Sequence, residues 1–82
     1  MENLSPKQIY QKLISFGISD LDAGLIVDCL NVKKSTKWMN NDPVPENVNQ
    51  ILADFLKEND FNFEIYVTEV RFGKYIWDVK KL

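Results

Sequence analysis

Hydrophobic positions recur along this chain with more than one period, and the changes divide it into segments. Near the start, Ile9, Leu13 and Phe16, with Tyr10 and Ile14 beside them, fall at helical spacing. Ser5 stands where an N-cap is needed, Pro6 follows at the first helical position, and Gln8 completes a Ser-x-x-Gln capping box. Leu4 can staple onto Ile9 and Gly17 supplies a stop, so a helix is predicted over 6–16. A second helix begins at once. Ser19 caps it, and Asp20 and Asp22 complement the dipole of its first turn. Its predicted inward stripe is Ile18, Leu21, Leu25, Cys29 and Val32, with Ile26 and Leu30 alongside. Gly24 in mid-helix costs about 1 kcal/mol against alanine and reads as a close crossing with another helix.

No period runs through residues 33–42, which read as a long loop of the kind that carries function. Within it, Ser35 or Thr36 can cap a short turn carrying Trp38 and Met39. The third helix is entered through Asp42-Pro43-Val44-Pro45-Glu46, with its first residue between 43 and 46. Val44, Val48, Ile51, Leu52, Phe55 and Leu56 make its stripe, a polar and mostly acidic face lies opposite, and Asn59 and Asp60 end it.

From Phe61 the period becomes two. Phe61, Phe63, Ile65 and Val67 alternate with Asn62, Glu64, Tyr66 and Thr68, and Tyr75–Val79 reads as the return strand. A two-residue Phe72-Gly73 loop would set Val67 opposite Asp78 and place a charge on the apolar face. A three-residue Arg71-Phe72-Gly73 loop instead pairs Val67 with Trp77, Ile65 with Val79 and Tyr66 with Asp78. The expected fold is a single α+β domain of three helices followed by a C-terminal antiparallel hairpin, with the helices packed on one hairpin face.

That α-α-α-β-β order resembles a winged helix-turn-helix. The resemblance implies a third helix in the major groove and the hairpin as wing. Here the third helix carries Glu46, Asp54 and Glu58, with Asp60 at its end, against Lys57, a balance that phosphates repel. The residues suited to nucleic acid lie elsewhere: Lys33, Lys34 and Lys37 beside Trp38, and Arg71 and Lys74 beside Phe72.

Composition acts mainly by exclusion. A chain of 82 residues has room for one core and little for a deep pocket as well. Histidine is absent, the three glycines are scattered, and Asp20 and Asp22 do not share a helix face. An enzyme, a metal site and a cofactor are therefore not expected. Nor is a membrane partner, since no apolar run approaches the roughly 20 residues of a span. The first six residues lack the basic and apolar regions of a secretory signal. The single cysteine, Cys29, reads as a small buried hydrophobe, and a reduced, cytoplasmic setting is expected. The net charge of −2 conceals segregation: three lysines within 33–37, and five carboxylates against one lysine within 42–60.

In the preferred register Tyr66, Phe72 and Ile76 fall off the helix-packed face, beside the tip cations Arg71 and Lys74. Grouped aromatics on an open sheet suggest contact with another protein or a second copy of the chain, unless a helix or the 33–42 segment covers them. The hairpin edges also invite strand addition. The functional expectation is a small non-enzymatic interaction module: an inhibitor, adaptor or assembly factor of the kind phages and mobile elements encode. Its candidate contacts are Tyr66, Arg71, Phe72, Lys74, Ile76 and Trp38. The alternative is a nucleic-acid-binding regulator using Lys33, Lys34, Lys37, Arg71 and Lys74.

Overall fold

A computed structural model describes residues 4–82. The expectation of no secretory signal falls partly on Met1–Asn3, outside the described residues. Helix α1 runs Pro6–Ser15, α2 runs Asp20–Val32, strand β1 runs Thr36–Asn40, α3 runs Val48–Glu58, β2 runs Phe63–Arg71 and β3 runs Lys74–Lys81. The protein is thus α+β, with three helices and a three-stranded antiparallel sheet ordered β1-β3-β2. The expected two-stranded hairpin is corrected to three strands, one of which precedes α3.

The first helix forms as its sequence indicates. Ser5 Oγ accepts from the Gln8 N–H at 3.2 Å, and Gln8 Oε1 accepts from the Ser5 N–H at 2.9 Å. Gly17 adopts φ 97° just beyond the C-cap Phe16, a backbone region that glycine enters without steric cost. The second helix is capped by Ser19 as expected, but its phase differs. Ala23, Ile26, Cys29 and Leu30 are buried, whereas Leu21 is 55% and Val32 58% exposed. Gly24 makes no close crossing: a Cβ built there meets nothing within 4 Å. The helix ends at Lys33 in the left-handed conformation, φ 59°.

Residues 33–42 are not a loop throughout. Thr36–Asn40 pair with β3, placing Thr36 opposite Val79, Trp38 opposite Trp77 and Asn40 opposite Tyr75. The physical reason is the inward surface this strand meets. Trp38 stacks on Trp77 with ring centroids 5.5 Å apart and planes at 7°, while Asn40 reaches a buried carboxylate described below. The third helix starts at Val48, later than expected. Pro43, Val44 and Pro45 form an extended entry, and Asn47 turns the chain at φ 60°. Val44 still packs against the core from outside the helix.

The β2–β3 register agrees with the sequence: Val67 opposite Trp77, Ile65 opposite Val79, Tyr66 opposite Asp78. The device that sets it differs. Arg71 pairs with Lys74 across a two-residue Phe72-Gly73 turn, and an irregularity between Glu69 and Arg71 leaves Val70 unpaired. The extra residue restores the parity that a two-residue turn alone would have broken. All three helices lie on the inner side of the sheet. Leu13, Ile26, Leu52, Trp77 and Val79 are fully buried between the layers.

Candidate functional site

The outer side of the sheet is not covered by any helix. Side chains alternate across a strand, so Lys37 and Met39 on β1, Glu64, Tyr66 and Thr68 on β2, and Ile76, Asp78 and Lys80 on β3 share this face. Strand register aligns them in rows. Met39, Ile76 and Thr68 form one row, and Lys37, Asp78 and Tyr66 form the next. Met39 is 54% and Tyr66 49% exposed, and Ile76 between them is half-buried. Lys37 Nζ lies 3.9 Å from Asp78 Oδ2, an exposed pair that contributes at most about 1 kcal/mol.

The face continues into the hairpin tip. Val70 is 46% exposed and Phe72 102%, so the Phe72 ring packs on nothing among the described residues. The turn beneath it is ordered: Glu69 Oε2 accepts from the Gly73 N–H at 3.0 Å, and Gly73 holds φ 75°. Arg71 and Lys74 stand opposite one another beside the ring, and neither has an ion-pair partner among the described residues. Two like charges facing each other across a strand pair oppose folding, so the fold alone gives no reason for them.

Thus the structure gathers Tyr66, Ile76, Arg71, Phe72 and Lys74 on one face and its end. The 33–42 segment does not cover that face but widens it with Met39, which sequence reasoning did not single out. Its signal was alternation, since Met39 lies one position from the inward Trp38. Trp38 itself points to the inner side. It is half-buried, stacked on Trp77, and its indole N–H donates to Asp22 Oδ1 at 2.8 Å. It acts as a plug between α2 and the sheet.

The five cations of the nucleic-acid alternative are not brought together. Lys33 and Lys34 end α2 near Ser35, which accepts from the Lys81 N–H at 2.9 Å at one end of β3. Arg71 and Lys74 lie at the other end, roughly 20 Å away at about 3.3 Å per residue. Lys37 stands between, on the outer face beside Asp78.

One polar cluster was missed. Asp22 is fully buried. Its Oδ1 accepts from Trp38 Nε1 and from Asn40 Nδ2 at 3.0 Å, and its Oδ2 accepts from Ser19 Oγ at 2.8 Å. Asn40 Nδ2 also donates to Asp42 Oδ2 at 3.0 Å. Both Asp22 oxygens meet donors, so the cluster ties α2 to β1. Among the described residues no three His, Cys, Asp or Glu side chains gather as metal ligands. No helix of the described residues is long and apolar enough to cross a membrane. Comparison with protein-family models, characterised proteins and solved structures gave no match.

Proposed function

We propose that this chain is a small non-enzymatic protein-interaction module that captures a partner protein on the outer face of its sheet and its hairpin tip. One observation carries the reading. Met39 and Ile76 lie side by side, with Tyr66 in the next row and Val70 and a fully exposed Phe72 towards the tip, on the sheet face that the helices of the described residues leave bare. Exposed aromatics with arginine beside them are the side chains that dominate interface energetics. Arg71 and Lys74 flank Phe72, so the complementary surface is an apolar pocket with carboxylates at its rim. An inhibitor, adaptor or assembly factor all work through such a face, and a second copy of the chain is the homomeric form of the same contact.

Less supports nucleic-acid binding. Its cations fall at opposite ends of the sheet, and Asp54 and Glu58 lie on the helix that would enter a groove. Affinity capture from the lysate of the source cell, with and without nuclease, tests the two readings together. A protein retained after nuclease treatment is the expected result. Loss of all bound material with nuclease overturns it.

A further inference from the structure

A second binding site lies at the free edge of β2, adjoining the open sheet face at Glu64 and Tyr66. The Asn49 side chain, on α3, makes two hydrogen bonds to the Val67 backbone. Its Nδ2 donates to the Val67 carbonyl at 3.0 Å, and its Oδ1 accepts from the Val67 N–H at 2.7 Å. The Val67 backbone groups therefore point away from β3. Asn62, five residues earlier, points the other way, since its carbonyl accepts from the Leu82 N–H at 2.9 Å. An antiparallel ladder alternates, so Phe63 and Ile65 also turn their N–H and C=O groups outward. Among the described residues nothing takes those groups.

They open into a groove of about 620 Å³ between β2 and α3. Asn49 closes it at one end. Ala53 and Leu56 form much of its helix wall, and Lys57 and Asp60, one charge of each sign, lie along that side. Ala53 is exposed and small, so the helix stands back from the strand edge where the backbone groups are free. An amide already occupies the one position where the helix comes within reach, and it reproduces the hydrogen bonds a neighbouring strand would make.

We propose that an extended peptide adds here as a fourth strand beside β2, paired with Phe63 and Ile65, with a basic side chain set against Glu64. Residues opposite Phe63 and Ile65 would turn inward against Ala53 and Leu56, which suits small apolar side chains. The residue between them shares the outer face with Glu64. Glu64 is half-buried and has no ion-pair partner among the described residues, although Lys80 stands across from it on β3. A lysine or arginine of the peptide supplies that partner.

A second copy of this chain fits poorly. Pairing two β2 edges about a twofold with Phe63 opposite Ile65 sets Glu64 directly against Glu64, a destabilising like-charge pair. Pairing Ile65 with Ile65 uses Val67, whose groups Asn49 holds. Pairing Phe63 with Phe63 uses Phe61, whose N–H already donates to the Leu56 carbonyl at 2.9 Å. A twofold β2–β2 contact is thus disfavoured, and the occupant proposed is a foreign peptide with a basic residue between small apolar ones.

The site adjoins the open sheet face through Glu64 and Tyr66, but the free backbone groups of Phe63 and Ile65 belong to it alone, so its test is separate. Labelled pentapeptides Ser-Val-Arg-Val-Ser and Ser-Val-Glu-Val-Ser are titrated into the protein by fluorescence anisotropy, with amide shifts followed by NMR. The arginine peptide should bind about tenfold or more tightly than the glutamate peptide and shift the Phe63, Glu64 and Ile65 amides. Glu64→Lys should reverse the preference. Ala53→Gln, at an exposed helical position that tolerates it, should weaken binding of the arginine peptide about fivefold or more without changing the thermal midpoint. No saturable binding, equal affinity for the two peptides, or amide shifts confined to Met39 and Ile76 would each overturn the proposal.

Discussion

Asp22 ties helix α2 to strand β1. A buried carboxylate is costly unless every oxygen meets a donor, and Ser19, Trp38 and Asn40 provide three. Asp22→Ala would strand those donors and release Trp38 from its stack. A loss of about 2–3 kcal/mol in urea unfolding is expected, with a change in tryptophan fluorescence in the native baseline. Cys29 gives a second check. Burial pushes its thiol pKa up; Lys34 nearby lowers it and Asp28 raises it, but burial leads. Its folded pKa lies above its unfolded value, so the thiol contributes stability below the unfolded pKa that is lost as pH rises through the folded one. Native protein at pH 8 should therefore react with a thiol reagent at least about tenfold more slowly than unfolded protein, and the stability that Cys29 contributes should decline on the alkaline side. The sequence shows why single residues were hard to place. Asp22 looked like an ordinary first-turn acid, and it does serve the cap. Its second role depends on Trp38 and Asn40, which lie 16 and 18 positions away.

At the scale of elements, legibility followed the sharpness of each local signal. Helix α1 carried its cap, proline and glycine together, and the β2–β3 register followed from keeping Asp78 off the apolar face. Helix α2 is apolar nearly all round, so its phase could not be read, and Leu21 and Val32 were placed inward although they face out. It also ends without a glycine, at Lys33 in a left-handed conformation that costs a non-glycine residue about 1 kcal/mol or more. The loss of helical period after Val32 marks the stop even so. Strand β1 was missed because its polarity runs against its facing: Asn40 is turned inward to Asp22, and Met39 is turned out. Two substitutions test this picture in melting experiments. Gly24→Ala, with open space around the new Cβ, should raise stability by about 0.5–1 kcal/mol. Gly17→Ala should lower it, because φ 97° strains any side chain there. A destabilised Gly24→Ala protein would mean that the helix is held closer to a neighbour than the structure shows.

At the scale of the whole molecule, the sheet divides two tasks. Its inner face, Trp77, Val79, Ile65 and Val67, holds the helices. Its outer face and tip carry apolar and cationic side chains, of which Tyr66, Val70 and Phe72 are exposed. Their position was legible from alternation and register; that no other segment covers them was not, because it depends on where residues 33–42 run. If the outer face is the proposed contact, its side chains can be removed at little cost to the fold and at large cost to binding. The most direct measurement is a comparison of the Tyr66→Ala/Phe72→Ala double variant with the wild type, by thermal melting and by nuclease-treated affinity capture side by side. A stability change of no more than about 1 kcal/mol is expected together with loss of the captured protein by about tenfold or more. Undiminished capture by a folded variant, or a collapse of the thermal midpoint, would contradict it.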